Sequence, residues 1–155
     1  KSYAQNAKFN VLNETKNINE MLDGFNQAAG SANFKKYFDY YDADSYFIGT
    51  DATERWNKKD FMTWAKPFFD RGKAWNFTTI KRNIYFSPDR KMAWFDELLN
   101  TQMKICRGSG VLEKTKDGWK VKQYVLSMTV PNALSDEVTK LKAPIEDTVM
   151  QQLTK

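Results

Sequence analysis

The side chains in this sequence that could do chemistry are carboxylates, guanidiniums and phenols. There is no histidine. That removes the commonest general base, the Ser-His and Cys-His nucleophile pairs and every histidine-based metal site. The single cysteine, Cys106, excludes an internal disulfide and any multi-cysteine metal centre. Within MKICRGSG it reads as a small buried hydrophobe in a strand rather than a reactive thiol. The sequence therefore predicts no metal and no organic cofactor.

Two charged groups remain as candidates. Asp96 and Glu97 are adjacent in the middle of a strand pattern, so their side chains point to opposite faces and cannot act as an acid/base pair. With a turn centred on Asn100–Thr101, Trp94 pairs with Arg107 and Asp96 with Ile105. Asp96 and Arg107 then lie diagonally on one face, within reach of a charge-assisted contact. That contact would fix strand register or orient a catalytic carboxylate. A turn one residue longer brings in Glu97 instead. The second group is YFIGTDATERWNKKDF, residues 46–61, where Asp51, Glu54 and Arg55 crowd ahead of Trp56. Asp51 and Arg55 either face a cleft or tie the loop to its neighbours.

Aromatics are plentiful, with 11 Phe, 7 Tyr and 5 Trp, and fit a bulky core or an apolar pocket. Trp56, after a loop, and Tyr124, in the last strand, are candidates for a pocket rim. Trp64, Phe68 and Phe69 recur at helical spacing and suit core or pocket wall. The candidate ligand-binding set is Trp56, Trp64, Asp96, Arg107 and Tyr124; Asp96, Arg107 and Asp51 are the candidate catalytic residues. RGSG at 107–110 is no phosphate loop, because its glycines alternate in a strand pattern with no helix after them.

The elements that must position these residues follow from periodicity. Residues 14–29 place Ile18, Met21, Leu22, Phe25, Ala28 and Ala29 on one helical face, and Gly30 ends the helix. Asn33 caps a short second helix carrying Phe34, Tyr37, Phe38 and Tyr41. A strand at 45–49 follows. Asn57 caps a third helix with Phe61, Trp64, Ala65, Phe68 and Phe69 inward, loosened near its end by Pro67 and stopped by Gly72. Residues 75–86, 91–99, 103–113 and 119–129 alternate as a four-stranded antiparallel meander, with turns at SPDR and KDG. After Pro131, residues 135–153 form an amphipathic helix capped by Ser135 and kinked at Pro144. Helices gathered on one face of a mostly antiparallel sheet make an α+β domain.

The net charge of +5 comes from scattered basic pairs with acids between them, not from a stripe. This argues against nucleic-acid binding. No apolar run approaches the roughly 20 residues that span a bilayer, so a soluble chain is expected, with no membrane partner. The opening KSYAQ carries small residues like the tail of an export signal, which makes export to the periplasm an expectation.

The segments YFIGTDATERW, AWFDE, CRGSGVL and DGWKVKQYVLS, in this order, resemble the SnoaL-like branch of the nuclear transport factor 2-like superfamily over residues 14–132, with 133–155 as a helical extension. The resemblance implies a cone-shaped, cystatin-like α+β fold, in which a curved sheet wraps around three helices and leaves a pocket at its open end. It also implies dimers packed through their sheets. The alternation in MAWFDELL, apolar on both sides, independently predicts a homodimer. No single activity is implied, because the superfamily holds isomerases, cyclases, epoxide hydrolases, transport factors and assembly domains. Ketosteroid-type isomerases place their base and their oxyanion-binding tyrosine at positions matching Gly49 and Phe25 here, and neither residue has the needed group. An epoxide-hydrolase arrangement would draw on Asp51, Arg55, Asp96 and Arg107. The functions left standing are binding of a largely apolar small molecule, an enzyme using Asp/Arg/Tyr chemistry, and a pure assembly domain.

Overall fold

In the computed structural model, which describes residues 9–154, the chain begins with a capped helix. The Asn10 side chain accepts from the Asn13 backbone and starts α1, Val11–Gly30. This cap lies upstream of the first apolar residue in the periodic pattern, so the helix begins three residues earlier than that pattern suggests. Ile18, Leu22, Phe25, Ala28 and Ala29 are buried along it. Gly30 is the last helical residue and not the terminator; Ser31 caps the end and Ala32 takes the left-handed conformation. Asn33 caps α2, Phe34–Asp39, by accepting from Lys36. Tyr41 leaves that helix and opens β1, Tyr41–Ile48, where it pairs with Val121. Its four-residue spacing from Tyr37 mimics a helical face because both rings enter the same core, with hydroxyls 3.2 Å apart.

A three-residue strand unforeseen in the sequence, β2 at Arg55–Asn57, turns back antiparallel onto β1, setting Phe47 opposite Trp56. Asn57 then caps α3, Lys58–Asp70, by accepting from Asp60. Pro67 sits inside its last turn and the helix runs on to Asp70. The meander follows as β3, Thr78–Phe86; β4, Met92–Thr101; β5, Lys104–Thr115; and β6, Gly118–Met128. The sheet order is β2-β1-β6-β5-β4-β3, and β1 joins β6 in parallel. Three helices and a curved, mostly antiparallel sheet thus form the cone-like α+β architecture.

Alternation along β4 sorts the two faces. Ala93, Phe95, Glu97, Leu99 and Thr101 are buried against the helices, while Trp94 is exposed on the outer face. The β4–β5 register corrects the expected one: Trp94 pairs with Val111, Asp96 with Ser109 and Leu98 with Arg107. The turn centres on Gln102–Met103, two residues further along, because Thr101 Oγ1 accepts from the Met103 N–H and donates to the Lys104 carbonyl. A shift of two preserves facing. Asp96 and Arg107 remain diagonal neighbours on the outer face, and Glu97 goes inside.

Glu97 is the most consequential buried group. Its side chain is 0% exposed and that of Arg82 only 3%. Arg82 Nε donates to Glu97 Oε2 at 2.8 Å, and the Tyr124 hydroxyl donates to Oε1 at 2.7 Å. The rest of the guanidinium is taken up by the Asn19 carbonyl and Oδ1, Asp23 Oδ1 and Thr79 Oγ1, at 2.9–3.2 Å. One ion pair therefore ties α1, β3, β4 and β6 together. Burial first, and then the Glu97 carboxylate, push the Tyr124 hydroxyl well above its ordinary pKa, so it stays a protonated donor. Gly108 faces Glu97 across the ladder. A methyl there would collide with the Tyr124 hydroxyl and lie 3.0 Å from Glu97 Cγ.

The sheet is followed by a 3-10 turn, Asn132–Leu134, and α4, Ser135–Leu153. The turn moves the cap position to Leu134, which offers no side-chain bond, and makes Ser135 the first helical residue. No residue of α4 is buried, and Leu141 is 76% exposed. Among the described residues no helix is long and apolar enough to cross a membrane. The segment KSYAQ lies outside the described residues.

Arg82→Met should destabilise the domain by about 3–5 kcal/mol, because it leaves a buried carboxylate uncompensated. The double variant R82M/E97L should recover most of that loss. Urea unfolding of the three chains measures both, and equal instability of the single and double variants would contradict this account.

Candidate functional site

The chain turns sharply where β1 ends. The Gly49 N–H donates to the Glu54 carbonyl at 2.9 Å, closing a loop over 49–54. Asp51 stands at its exposed tip and accepts from both the backbone and the hydroxyl of Thr53, at 2.8 and 2.6 Å. Those bonds hold its carboxyl below the usual range. The Arg55 guanidinium lies over the Tyr46 ring, 4.2 Å from its centroid. Asp51 thus braces the loop internally, and Arg55 packs on a ring of β1. Glu54 behaves differently: among the described residues its Oε2 accepts only the Asp51 N–H, at 3.2 Å, and its carboxylate fills the space where a side chain on Gly49 would begin.

This loop forms one wall of a cavity of about 150 Å³ at the open end of the cone. Gly49, Thr50 and Glu54 contribute from the loop and Phe47 from β1. Trp56 enters from β2, and Phe61 and Trp64 from α3. Trp75 and Phe77 come from the segment before β3, Gln102 and Met103 from the β4–β5 turn, and Leu126 from β6. The rings are packed in near-parallel layers. Phe47 and Phe61 stack with centroids 4.2 Å apart and planes 4° apart. Trp56 and Trp64 stack at 4.8 Å, and Trp64, 40% exposed, stands at the solvent side. Such a stack holds the wall rigid and leaves mostly ring surface to a ligand.

Of the candidate ligand-binding residues, Trp56 and Trp64 line this cavity. Tyr124 does not; it is 1% exposed and committed to Glu97. Asp96 accepts from Asn83 Nδ2 at 3.0 Å on the outer face, and Arg107 is exposed on that same face. They form no ion pair, and neither they nor Asp51 lines the cavity. The sequence reading missed Glu54 as a lining group, together with Trp75, Phe77 and Met103. A signal for Glu54 existed in the glycine closing β1 five residues before an acid, but only loop closure shows that the two coincide in space. Among the described residues no three His, Cys, Asp or Glu side chains are grouped to hold a metal ion.

Six strands curved around three helices, with an aromatic cavity at the open end, define a cone-type α+β domain. The SnoaL-like domain family matches residues 18–131, and the chain belongs to it. Among curated proteins the sequence has no match. Similar solved structures include a candidate dehydratase of the NTF2-like family from Streptomyces avermitilis, with a TM-score of 0.68 and 11% identity. The match covers 79% of this chain and 100% of that one. A protein of unknown function with a cystatin-like fold from Nostoc punctiforme has a TM-score of 0.62 and 10% identity, covering 78% and 94%. A candidate ketosteroid isomerase from Shewanella frigidimarina has a TM-score of 0.59 and 14% identity, covering 72% and 94%. Identities this low carry the fold alone.

Gly49→Ala should force Glu54 and its loop outward, costing about 1–3 kcal/mol, the range for overpacking a tight site. Because Trp56 follows that loop directly, the near-UV circular dichroism of the tryptophans should change as well. Unaltered stability and spectrum would show that Gly49 and Glu54 are not in contact.

Proposed function

We propose that this domain binds a small, largely apolar molecule in the aromatic cavity at the open end of the cone. The observation that carries the reading is the lining itself, with six aromatic rings, Met103 and Leu126 around an unfilled volume. At about 150 Å³ it suits a single ring or a compact branched group. Typical drug-sized sites run from roughly 300 Å³ upward. An assembly domain filled by its own side chains would leave no such space.

The alternative of a SnoaL-like isomerase, cyclase or hydrolase using Asp/Arg/Tyr chemistry has less support. Among the described residues the only ionisable group on the cavity wall is Glu54, and no arginine or tyrosine accompanies it. The similarity to a candidate dehydratase and a candidate isomerase keeps that class in view through fold alone.

A homodimer through the sheet fits the outer face. Tyr85 and Trp94 stack there at 5.9 Å, each 47% exposed, with Leu98 and Val111 half-buried nearby. Asp96 and Arg107 share that face, so a two-fold axis can set the acid of one copy against the arginine of the other.

Met103→Trp, which fills the cavity from its half-buried turn, should abolish binding of single-ring and compact branched probes in ligand-observed NMR while leaving the fold intact; retained binding would place the site elsewhere. The solution mass should be twice that of the chain and fall to one chain in Trp94→Glu. A monomer at high micromolar concentration would remove the dimer.

A further inference from the structure

Resting on the reading of this cavity as the binding site, we infer that its ligand is a small organic cation of the quaternary ammonium type. Among the described residues the cavity wall carries one formal charge, the carboxylate of Glu54, and no lysine or arginine. Glu54 makes no ion pair among the described residues. Its sequence neighbour Arg55, the obvious counter-ion, is held over the Tyr46 ring instead. Lys58, the next cation along the chain, donates to the Tyr41 carbonyl at 2.9 Å. A half-buried carboxylate at an apolar wall is thus left without a countercharge, and an entering cation would supply one.

The aromatic rings point the same way. Phe47, Trp56, Phe61, Trp64, Trp75 and Phe77 all border the space. A poorly hydrated cation is attracted wherever it meets a ring face, indole most strongly, and three of the six rings are indoles. A bulky alkylated ammonium loses little hydration on entering, so it gives up less than a primary ammonium or a metal ion would at a wall that is mostly ring carbon. Anions are disfavoured by the same carboxylate. Size agrees, because a trimethylammonium head with a short arm fits about 150 Å³, and Thr50 and Gln102 offer polar groups for the arm. The net charge of +5 on the chain opposes a cation at long range, so recognition has to be local.

The test uses choline, its neutral isostere 3,3-dimethylbutan-1-ol, and the anion 3,3-dimethylbutanoate, titrated against the full chain by tryptophan fluorescence. Choline should saturate, with the isostere weaker by about tenfold or more and the anion silent. Glu54→Gln, verified as folded by its melting curve, should abolish the preference for choline and leave binding of the isostere unchanged. Equal or tighter binding of the isostere, or a choline preference that survives Glu54→Gln, overturns the cation inference while the apolar cavity stands. If none of the three probes binds, both readings fall.

Discussion

A carboxylate enclosed on the inner face of the sheet governs much of this fold. A buried charge is tolerated only when paired and fully hydrogen-bonded. Glu97 meets that demand by drawing Arg82 from β3 and Tyr124 from β6. The guanidinium then needs partners of its own and finds them on α1, in Asn19 and Asp23. The helix is thereby fixed against the sheet by directional bonds, which set its position more sharply than apolar contact would. The same demand accounts for Gly108, since the space that a side chain would occupy is already taken by Tyr124 and Glu97.

From that pair a line of stacked rings runs to the mouth of the cone. Tyr124 lies parallel to Phe47, with planes 5° apart, and Phe47 to Phe61, with planes 4° apart. Phe61 passes the stacking on to Trp56, Trp64 and Trp75. The polar end of this line is closed and satisfied, while the other end opens on the cavity. The tyrosine is a structural donor committed to Glu97, whereas Trp56 and Trp64 border the cavity.

Family membership frames this division without deciding it. The curved sheet and the helices leave a space at one end of this domain, bordered by a few side chains, and a fold by itself does not settle what such a space does. Here the rim carries one acid and many rings. Glu54 occupies the space next to Gly49, the glycine that stands at the strand end where the resemblance places the base of ketosteroid-type isomerases. An acid is present there, but it comes from five residues downstream and approaches through a tight loop.

Local chemistry was legible in the sequence because it is written in local spacing. The apolar stripe of α1, the Asn33 and Asn57 caps and the four-strand meander all rest on neighbours within a turn or a hairpin. The quoted segments carried the family for the same reason. Period-two alternation also separated Asp96 from Glu97. Which of them entered the core depended on where the helices lie and on Arg82, fifteen residues away. The β4–β5 register turned on a Thr101 hydroxyl, a detail that periodicity does not encode. The cavity joins β1, β2, α3, the β4–β5 turn and β6. No spacing within one element could announce that meeting, because it exists only when the sheet curves and brings its edge strand, its turn and a helix to the same end.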